Sequence, residues 1–420
     1  MKKETIRALD SRLGSVLCAL LTLHRRLFER ASHPRARAPS RKILFIKLIE
    51  HGATVLAYDA VQRAAALVGR ENVFFCVFAE NREILDVMDV IPAENVWVVR
   101  SGRLDTFARD VLNVVRRARR VGIDTTIDME FFSRAAAILA YLTGARRRVG
   151  LHRFNEEAPY RGDLMTHRVM YNASIHTARA YSLLIEALEA DPDDTPLVKT
   201  LIESDMRVPP RFTATAIETQ RVQALLDELA GRPVERPVIV LNPNCRDALP
   251  LRRWPTERFV ELGRSILADH PDATVVITGA PSEQPAAEEV CRAIDSPRAV
   301  NLAGRTTLRD LLVLYELADV MVTNDSGPGH FASLTSMDSI VLFGPGSPSQ
   351  FGPIGGRSQV LWAGLACSPC ANVYNHRFSI CTNNVCMQAI GVEEVYARVC
   401  ASLATRHGER TGTQSRMGDR

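Results

Sequence analysis

The sequence predicts an α/β protein made of two doubly wound, Rossmann-like domains. Three observations support this fold class. Short apolar strands alternate with amphipathic helices from residue 43 onward, the alternation stops near residues 231–237 and then restarts, and 420 residues are enough for two domains. Each alternating stretch is expected to form a parallel sheet with helices on both faces. Ligands bind such sheets beyond the carboxyl ends of the strands, so two facing sheets would place two substrates in one cleft.

The composition is typical of a soluble globular chain, with 46% hydrophobic and 24% charged residues. The sequence contains no run of 18 or more apolar residues, so a membrane-spanning helix is not predicted. The net charge of +4 is unevenly distributed: residues 1–42 contain eleven lysines and arginines and three acidic residues, a net +8, which leaves about −4 for the rest. Nucleic acid is therefore not an expected partner. Without a convincing signal peptide, a cytoplasmic location is expected.

Residues 1–42 predict a basic amphipathic helix followed by a linker over residues 32–42. Apolar residues recur at helical spacing among the arginines: Leu9, Leu13, Val16, Leu17, Leu20, Leu23 and Leu27. Such a helix can lie on the anionic inner face of the cytoplasmic membrane. The alternatives are a helix packed on the protein body or a frayed extension.

The acceptor-side domain is expected over residues 43–230. Its predicted strands are 43–48, 72–78, 95–99, 122–129 and 146–151. Its predicted helices are 54–68, 82–90, 104–119 and 131–143, and residues 165–205 are expected to be mainly helical.

The second, nucleotide-sugar-binding domain is expected over residues 237–404. Its predicted strands are 238–242, 273–279, 299–304, 319–324 and 339–344. The predicted helices are 256–268, 283–294, 308–317 and 392–403. The polar tail, residues 405–420, is expected to be disordered.

Four loops at strand ends of the second domain carry polar residues that suit a nucleotide diphosphate. These are Asn244, Arg246, Arg252 and Arg253 after its first strand, Glu283 after the second, Thr306 and Thr307 after the third, and Asp325, Ser326, Gly327 and His330 after the fourth. Arginine suits a diphosphate because its planar fork donates two parallel hydrogen bonds. A carboxylate can accept hydrogen bonds from ribose hydroxyls, and the threonines could cap a helix or contact a base. In the fourth loop, glycines allow close backbone approach to an anion at a helix start.

Charged residues also follow two strands of the first domain. Lys47 ends the first strand and could contact a phosphate of donor or acceptor, or remain solvated. Asp128 and Glu130 follow a later strand, where an acceptor could pass, although Asp128 could instead cap a helix. His176, on the helix beyond, could face the ligand or be structural.

Four cysteines near the end of the chain form a separate cluster, with the spacing Cys367, Cys370, Cys381 and Cys386. A Cys-x-x-Cys pair followed by two more thiols resembles a structural zinc site. Free core thiols are nevertheless the favoured interpretation, and structural zinc is the alternative. A catalytic metal is not expected, because no His, Asp or Glu set surrounds the cluster.

The stretch "TNDSGPGHFAS…SIVLFGPGSPSQFGP" resembles the signature of glycosyltransferase family 9, the lipopolysaccharide heptosyltransferases. "RRWP…FVEL", "GAPSE" and "CSPC…CTNNVCMQAI" match other motifs of that family at compatible spacing. The resemblance runs from about residue 43 to 404. It implies the GT-B fold, no cofactor or metal for catalysis, and transfer of a sugar from a nucleotide diphosphate, usually ADP-heptose, to a glycolipid or other saccharide.

The resemblance also implies roles for individual residues. It puts Arg252 at the position of the family's diphosphate-binding lysine, Glu283 on the ribose, and the motif from Asp325 to His330 around the donor. In the first loop of the family, a glycine is followed by an aspartate taken as the general base. Here Gly52 is followed by Ala53.

A base is still needed near the acceptor hydroxyl. We expect Glu50 to take this role, with His51 as the alternative. Asp59 ranks lower because it is predicted on the solvent-facing side of a helix.

The sequence therefore predicts a glycosyltransferase. Two other functions stay open: a non-catalytic protein that binds a nucleotide sugar or glycan, and a GT-B-fold epimerase or hydrolase acting on a nucleotide sugar.

Overall fold

A computed structural model describes residues 3–29, 38–152, 160–202, 206–244, 249–355, 357–375 and 378–418. The chain divides into two compact units, Met1–Pro209 and Pro210–Arg420. The boundary lies earlier than the predicted one at residue 230. Helix Ala216–Ala230 belongs to the second unit because it packs on helix Leu308–Leu317 and strand Ala299–Asn301. The predicted linker falls partly outside the described residues, since 30–37 are not among them.

The first unit contains one six-stranded parallel sheet. Its strands are β1 (Ile43–Ile46), β2 (Val73–Phe78), β3 (Val96–Val99), β4 (Thr125–Asp128), β5 (Arg147–His152) and β6 (His167–Met170). Their order is β3-β2-β1-β4-β5-β6, and β1 pairs with both β2 and β4. β1 and β4 are buried along their whole length; β1 is continuously apolar, as expected for a strand covered on both faces, whereas β4 is Thr-Thr-Ile-Asp. The prediction of a mainly helical stretch over 165–205 was wrong for β6.

Seven helices flank the described part of this sheet. They are α1 (Lys3–Phe28), α2 (His51–Leu56), α3 (Tyr58–Val68), α4 (Arg82–Met88), α5 (Leu104–Val121), α6 (Arg134–Leu142) and α7 (Thr177–Glu186). Cys18 of α1, Val114 of α5 and Ala136 of α6 belong to one hydrophobic cluster, so these three helices share a face of the sheet. 

Helix α1 packs on the body of the first unit, which was one of the predicted alternatives. Its inner face buries Cys18 completely and is fixed by polar contacts along its length. These contacts are Asp10 to Arg134 (3.3 Å), His24 to Tyr141 (2.8 Å), Arg25 to Asp163 (2.6 Å) and Glu29 to Arg148 (2.7 Å). None of the helices in the described residues is long and apolar enough to cross a membrane.

The second unit repeats the same topology. Its strands are β7 (Val238–Asn242), β8 (Thr274–Ile277), β9 (Ala299–Asn301), β10 (Val320–Asn324), β11 (Asp338–Phe343) and β12 (Ser358–Trp362). Their order is β12-β11-β10-β7-β8-β9, with every pair parallel. Edge strand β12 was not predicted, because its alternating pattern is short and half exposed.

The helices of the second unit are α8 (Ala216–Ala230), α9 (Thr256–Asp269), α10 (Gln284–Ile294), α11 (Leu308–Leu317), α12 (Gly327–Ala332), α13 (Pro348–Phe351), α14 (Val385–Gln388) and α15 (Val392–Gly418). Helix α15 continues through most of the predicted disordered tail. It does so because Arg406 is buried beside Asp338 and Glu409 pairs with Arg357 at 2.7 Å.

In both sheets the strand order reverses once, between β1 and β4 in the first unit and between β7 and β10 in the second. At such a switch point the loops leaving the two strands diverge to opposite faces and open a crevice, which is where open α/β sheets bind ligands. Most loops that carry the predicted site residues leave these four strands or their neighbours, and the loop of Thr306 leaves edge strand β9.

Candidate active site

The switch point of the second unit is organised by the buried Asn324 at the end of β10. Its Nδ2 donates to the Pro243 carbonyl at 2.9 Å, and its Oδ1 accepts the Trp254 backbone N–H at 2.9 Å. The side chain therefore ties the loop after β7 to the end of β10. Sequence reasoning missed this residue; the only signal was a polar residue ending an apolar strand.

Arg252 and Asp325 meet at this switch point. Arg252 Nε lies 3.5 Å from Asp325 Oδ2, and the Arg252 guanidinium also donates to the Asp325 carbonyl at 3.4 Å. Both side chains are largely buried, with 21% and 8% exposed. The structure thus brings together two predicted donor-site residues, with one carboxylate orienting the guanidinium. Arg246, a third predicted residue, lies outside the described part of the chain.

Asn244 and Glu283 approach each other beside Gly279, at the ends of β7 and β8. A Cβ added at Gly279 would lie 2.8 Å from Asn244 Nδ2 and 3.1 Å from Glu283 Oε2. Only glycine leaves room for both side chains here. The Asn244 Nδ2 atom is buried and has no hydrogen-bond partner among the described residues. Glu283 Oε2 accepts the Ala280 N–H at 2.7 Å.

The two threonines after β9 have different roles. Thr307 caps α11, since its hydroxyl accepts the Asp310 N–H at 3.1 Å. In return, the Asp310 carboxylate accepts the Thr307 N–H at 3.2 Å. Thr306 precedes the cap and is half-buried. Thr307 therefore takes the predicted role of a helix cap, and contact with a nucleotide base stays a prediction for Thr306.

The turn after β10 contains the remaining donor-side residues. Ser326 Oγ donates to the Asn324 carbonyl at 3.0 Å, and Gly327 begins the six-residue helix α12. His330 lies within that helix and is 8% exposed. Asp325 is the residue of this turn that contacts Arg252.

The Cys-rich segment, residues 367–390, supports the loop that contains Arg252. Asn384 Nδ2 donates to the carbonyls of Leu251 and Arg253, at 3.1 and 2.9 Å, on either side of Arg252. Trp254 Nε1 donates to the Ile390 carbonyl at 2.9 Å. The sequence indicated a motif here through its cysteines, whereas the contacts to the loop come from Asn384 and a backbone carbonyl.

The four cysteines do not form a metal site in this structure. Among the described residues, no three side chains of His, Cys, Asp or Glu lie where they could hold a metal ion. Cys386 is buried, Cys370 and Cys381 are half-buried, and Cys367 is exposed. Cys370 contacts Ser379 Oγ at 3.1 Å, and Cys381 donates to the Asn383 carbonyl at 3.1 Å. Structural zinc at these cysteines therefore stays a prediction, and of the four cysteines Cys386 is the one buried as a core thiol.

In the first unit, the first loop, residues 47–50, leaves β1 at the switch point. Lys47 is fully buried and donates to the Ile49 carbonyl at 2.6 Å. Its Nζ lies 3.2 Å from Glu130 and 3.7 Å from Glu50. The predicted solvated lysine is therefore wrong: Lys47 lies between two carboxylates.

Asp128 and Glu130 are both buried behind this loop. Asp128 Oδ2 pairs with Arg161 at 3.0 Å, and its Oδ1 accepts the Glu130 N–H at 3.0 Å. Burial raises the pKa of Asp128 to about 7, while Arg161 acts in the opposite direction. The predicted helix cap is wrong for Asp128, because Ser133 caps α6. Asp128 is 0% exposed and Glu130 is 5% exposed, and both lie behind the first loop.

The candidates for a general base differ in placement. Glu50 directly precedes α2, has a positive φ of 76°, and keeps 29% of its side chain exposed. His51 Nε2 is hydrogen-bonded to the Glu80 carbonyl. Ala53, where the family aspartate would stand, is buried inside α2. Glu50 is the one carboxylate of residues 47–50, and its side chain is half-buried.

The structure also decides the predictions for Asp59 and His176. Asp59 is 2% exposed, so its predicted solvent-facing position is wrong. Burial works against its ionisation, but hydrogen bonds from Ser182 and Arg63 hold the pKa of Asp59 below its ordinary value. His176 precedes α7 and caps it, since its Nδ1 accepts the Ala178 N–H at 3.2 Å.

Proteins of known structure share the fold of this chain. The fold matches that of ADP-heptose LPS heptosyltransferase II of E. coli with a TM-score of 0.65 and 18% sequence identity, covering 87% of this chain and 99% of that chain. It also matches the glycosyl transferase family 9 protein of Veillonella parvula with a TM-score of 0.66 and 18% sequence identity, covering 88% of this chain and 98% of that chain. The architecture is therefore the GT-B fold.

The family model "Glycosyltransferase family 9 (heptosyltransferase)" matches residues 111–377, which is more than half of the chain. The chain belongs to this family. Curated relatives include lipooligosaccharide heptosyltransferase 2 of Haemophilus influenzae, 28% identical over 172 residues, and lipopolysaccharide heptosyltransferase 2 of Salmonella typhimurium, 31% identical over 130 residues. These matches cover 40% and 30% of this chain and 46% and 36% of the relatives, so the aligned part spans less than half of their length.

Proposed function

We propose that the protein is a metal-independent glycosyltransferase. It would move a heptose or related sugar from a nucleotide diphosphate, with ADP the expected nucleotide, to a lipopolysaccharide-type or other saccharide acceptor. The observation that carries the proposal is the convergence of Arg252, Asp325, Glu283 and Asn244 at the strand ends around the β7–β10 switch point. Membership of the family and the names of the relatives supply the sugar class.

The chemistry would be a direct displacement at the anomeric carbon. The acceptor oxygen forms its bond as the bond to the diphosphate breaks, and the acceptor proton passes to a carboxylate, for which we propose Glu50. Arg252 would stabilise the charge that develops on the leaving diphosphate, as an electrostatic group placed in advance. Asp325 would hold the guanidinium in the required orientation.

The other donor-side residues would recognise the nucleotide. Glu283 would accept hydrogen bonds from the ribose, the unsatisfied Asn244 amide would donate to the donor, and Thr306 would contact the base. Ser326, Gly327 and His330 would line the sugar and phosphate side. A tightly packed site with buried polar groups already in place loses little freedom on binding.

The proposal is tested first by ligand-induced thermal stabilisation. The native protein is titrated with ADP-, GDP-, UDP- and CMP-linked sugars, beside Arg252→Ala and Asp325→Ala. Arg292→Ala, a surface arginine of the same unit, is the control. A ligand that binds only the folded state raises the melting temperature. We expect one nucleotide class to stabilise the native protein and the Arg292 variant but neither site variant; no shift at millimolar donor would refute the donor pocket.

Turnover then separates the remaining functions. Transfer to a lipopolysaccharide-type acceptor that is lost in Glu50→Gln supports the transferase and its base. Donor consumption without any acceptor would instead indicate an epimerase or hydrolase. Binding without turnover in any assay would indicate a non-catalytic nucleotide-sugar-binding protein, which the replacement of the family aspartate by Ala53 would favour.

We further propose that the protein works at the cytoplasmic face of a membrane and contacts it through α1. The outer side of this helix carries an apolar face whose side chains are 46–72% exposed: Leu13, Val16, Leu17, Leu20, Leu23, Leu27 and Phe28. The exposed Arg26 flanks it, and residues 1–42 carry a net +8. An apolar stripe bordered by cationic residues complements an anionic lipid surface.

A further inference from the structure

We propose that Glu130 is a positioning residue that fixes the first loop and thereby sets the direction of the Glu50 carboxylate. Glu130 follows β4, whereas Glu50 follows β1, and the two strands are neighbours at the switch point of the first unit. The inference rests on the proposed transfer chemistry only for its effect on turnover. Its structural part can be tested without any activity.

The Glu130 carboxylate contacts the loop at three points. Oε1 accepts the Leu48 N–H at 2.6 Å and the Ile49 N–H at 3.0 Å, and Oε2 accepts a bond from Lys47 Nζ at 3.2 Å. A carboxylate held by two adjacent backbone N–H groups and an ammonium cannot rotate without breaking all three bonds. Residues 47–49 are therefore held from one side by a single side chain.

The residue that follows is in an unusual conformation. Glu50 has φ 76° and ψ 91°, a region that side chains other than glycine rarely adopt. Such a conformation persists where the surroundings over-determine it. Helix α2 holds the chain beyond Glu50, through the Thr54 N–H to Glu50 carbonyl bond of 3.2 Å, and Glu130 holds the chain before it. Glu50 is thus constrained from both ends.

Glu130 is itself held by residues behind it. Its N–H donates to Asp128 Oδ1 at 3.0 Å, and Asp128 pairs with Arg161. The Met129 N–H between them donates to the Ile46 carbonyl at 3.0 Å. The position of Glu130 is therefore fixed by the sheet and by a buried ion pair. Its carboxylate holds the first loop from the β4 side, while the Phe78 N–H and Asn81 Nδ2 donate to the Leu48 carbonyl from the β2 side, at 3.1 and 2.6 Å.

The charge of Glu130 is required as well as its shape. In Glu130→Gln the side-chain amide must present its NH₂ group either to Lys47 or to the two backbone N–H groups, and all of these are donors. One set of contacts is then lost. The buried Lys47 ammonium would then have Glu50 as its remaining acidic partner among the described residues, and would draw that carboxylate out of its native direction.

The matched control is Asp110→Asn. Asp110 is also a buried carboxylate of the first unit that accepts a backbone N–H, from Arg100 at 3.0 Å, and pairs with a guanidinium at 2.8 Å. It lies away from the first loop. Its substitution should lower stability by a comparable mechanism without changing the loop.

The experiment measures backbone hydrogen exchange over residues 47–56 in the full chain, for the native protein, Glu130→Gln, Glu130→Asp and Asp110→Asn. We expect exchange at Leu48 and Ile49 to accelerate at least about tenfold in both Glu130 variants and to stay unchanged in Asp110→Asn. The shorter aspartate keeps the charge and guards against a failure of the glutamine variant to fold. Unchanged exchange at both positions in either folded Glu130 variant would overturn the inference.

Kinetics supply the second readout. We expect Glu130→Gln to lower kcat about 10- to 100-fold while KM for the donor stays within about twofold, because the donor-binding residues belong to the second unit. A parallel rise in donor KM would overturn the positioning role. If the native protein shows no transfer at all, the proposed function fails, and the exchange measurement still decides the role of Glu130.

Discussion

Arg252 Nε lies 3.5 Å from Asp325 Oδ2, although the two residues are 73 positions apart in the chain. The carboxylate keeps the guanidinium at the end of β10, where a donor diphosphate is proposed to bind. An arginine held in this way loses less rotational freedom on binding than a free one. Donor affinity should therefore depend on the position of Asp325 as well as on its charge.

Gly346→Ala tests that position without changing any charge. A Cβ at residue 346 would lie 2.7 Å from Asp325 Oδ2, so the carboxylate must move away. We expect donor affinity, measured by calorimetry, to fall about 3- to 30-fold, which corresponds to about 1–2 kcal/mol. Gly391→Ala in the same unit, where nothing lies within 4 Å of the added atom, is the control. Equal affinities in both variants would contradict the role of Asp325.

Asn384→Ala tests the support of the Arg252 loop by the Cys-rich segment. The substitution leaves the carbonyls of Leu251 and Arg253 without their side-chain donor, at a cost of about 1 kcal/mol for each bond. The loop should loosen, and KM for the donor should rise about 3- to 10-fold with a smaller change in kcat. Asn383→Ala is the control, because among the described residues the Asn383 side chain accepts a hydrogen bond from Gln388 and none from the Arg252 loop. A donor KM that changes equally in both variants would argue against this support.

The apolar face of α1 is tested by vesicle flotation. The double variant Leu20→Glu/Leu23→Glu should lose binding to vesicles that contain phosphatidylglycerol, because two charges would enter the lipid interface. The control Leu201→Glu/Ile217→Glu changes two apolar residues elsewhere that are even more exposed, and it should float normally. Deleting α1 is a poorer test, since it would uncover the core around Cys18. Flotation of the α1 variant at the native level would contradict the proposed membrane contact.

His167 predicts a pH-dependent loss of stability. Burial lowers the pKa of His167 to about 4, and Arg147 and Arg148 act in the same direction. The folded pKa lies below the ordinary value of about 6.5, so the unfolded chain binds the extra proton first as the pH falls. Stability from this group is complete above about pH 6.5 and is lost between about pH 6.5 and 4, by about 2–3 kcal/mol.

The measurement compares melting temperatures at pH 7 and 4.5 for the native protein and His167→Gln. The glutamine variant should lose less stability on acidification than the native protein. The comparison between two proteins is needed because Asp128, whose pKa is raised to about 7, favours the folded state as the pH falls through the same range. Identical losses in both proteins would exclude His167 as the cause.

Much of the fold follows from local pattern. The continuous apolar runs of β1 and β7 and the helical spacing between strands identified ten of the twelve strands described here. The two missed strands, β6 and β12, are short and have exposed positions, so their periodicity is weak. Tertiary pairing with β5 and β11 determines them.

The local order of apolar and polar residues was enough to predict the α/β class, the two sheets, and the loops in which Arg252, Glu283, Asp325 and Glu50 lie. The contacts that these side chains make depend on the tertiary fold. Asn324 and Pro243 are 81 positions apart, Asn384 and Leu251 are 133 apart, and Glu130 and Leu48 are 82 apart. Hydrogen bonds between such distant residues are set by which strands become neighbours in the sheet, and no local periodicity encodes that choice.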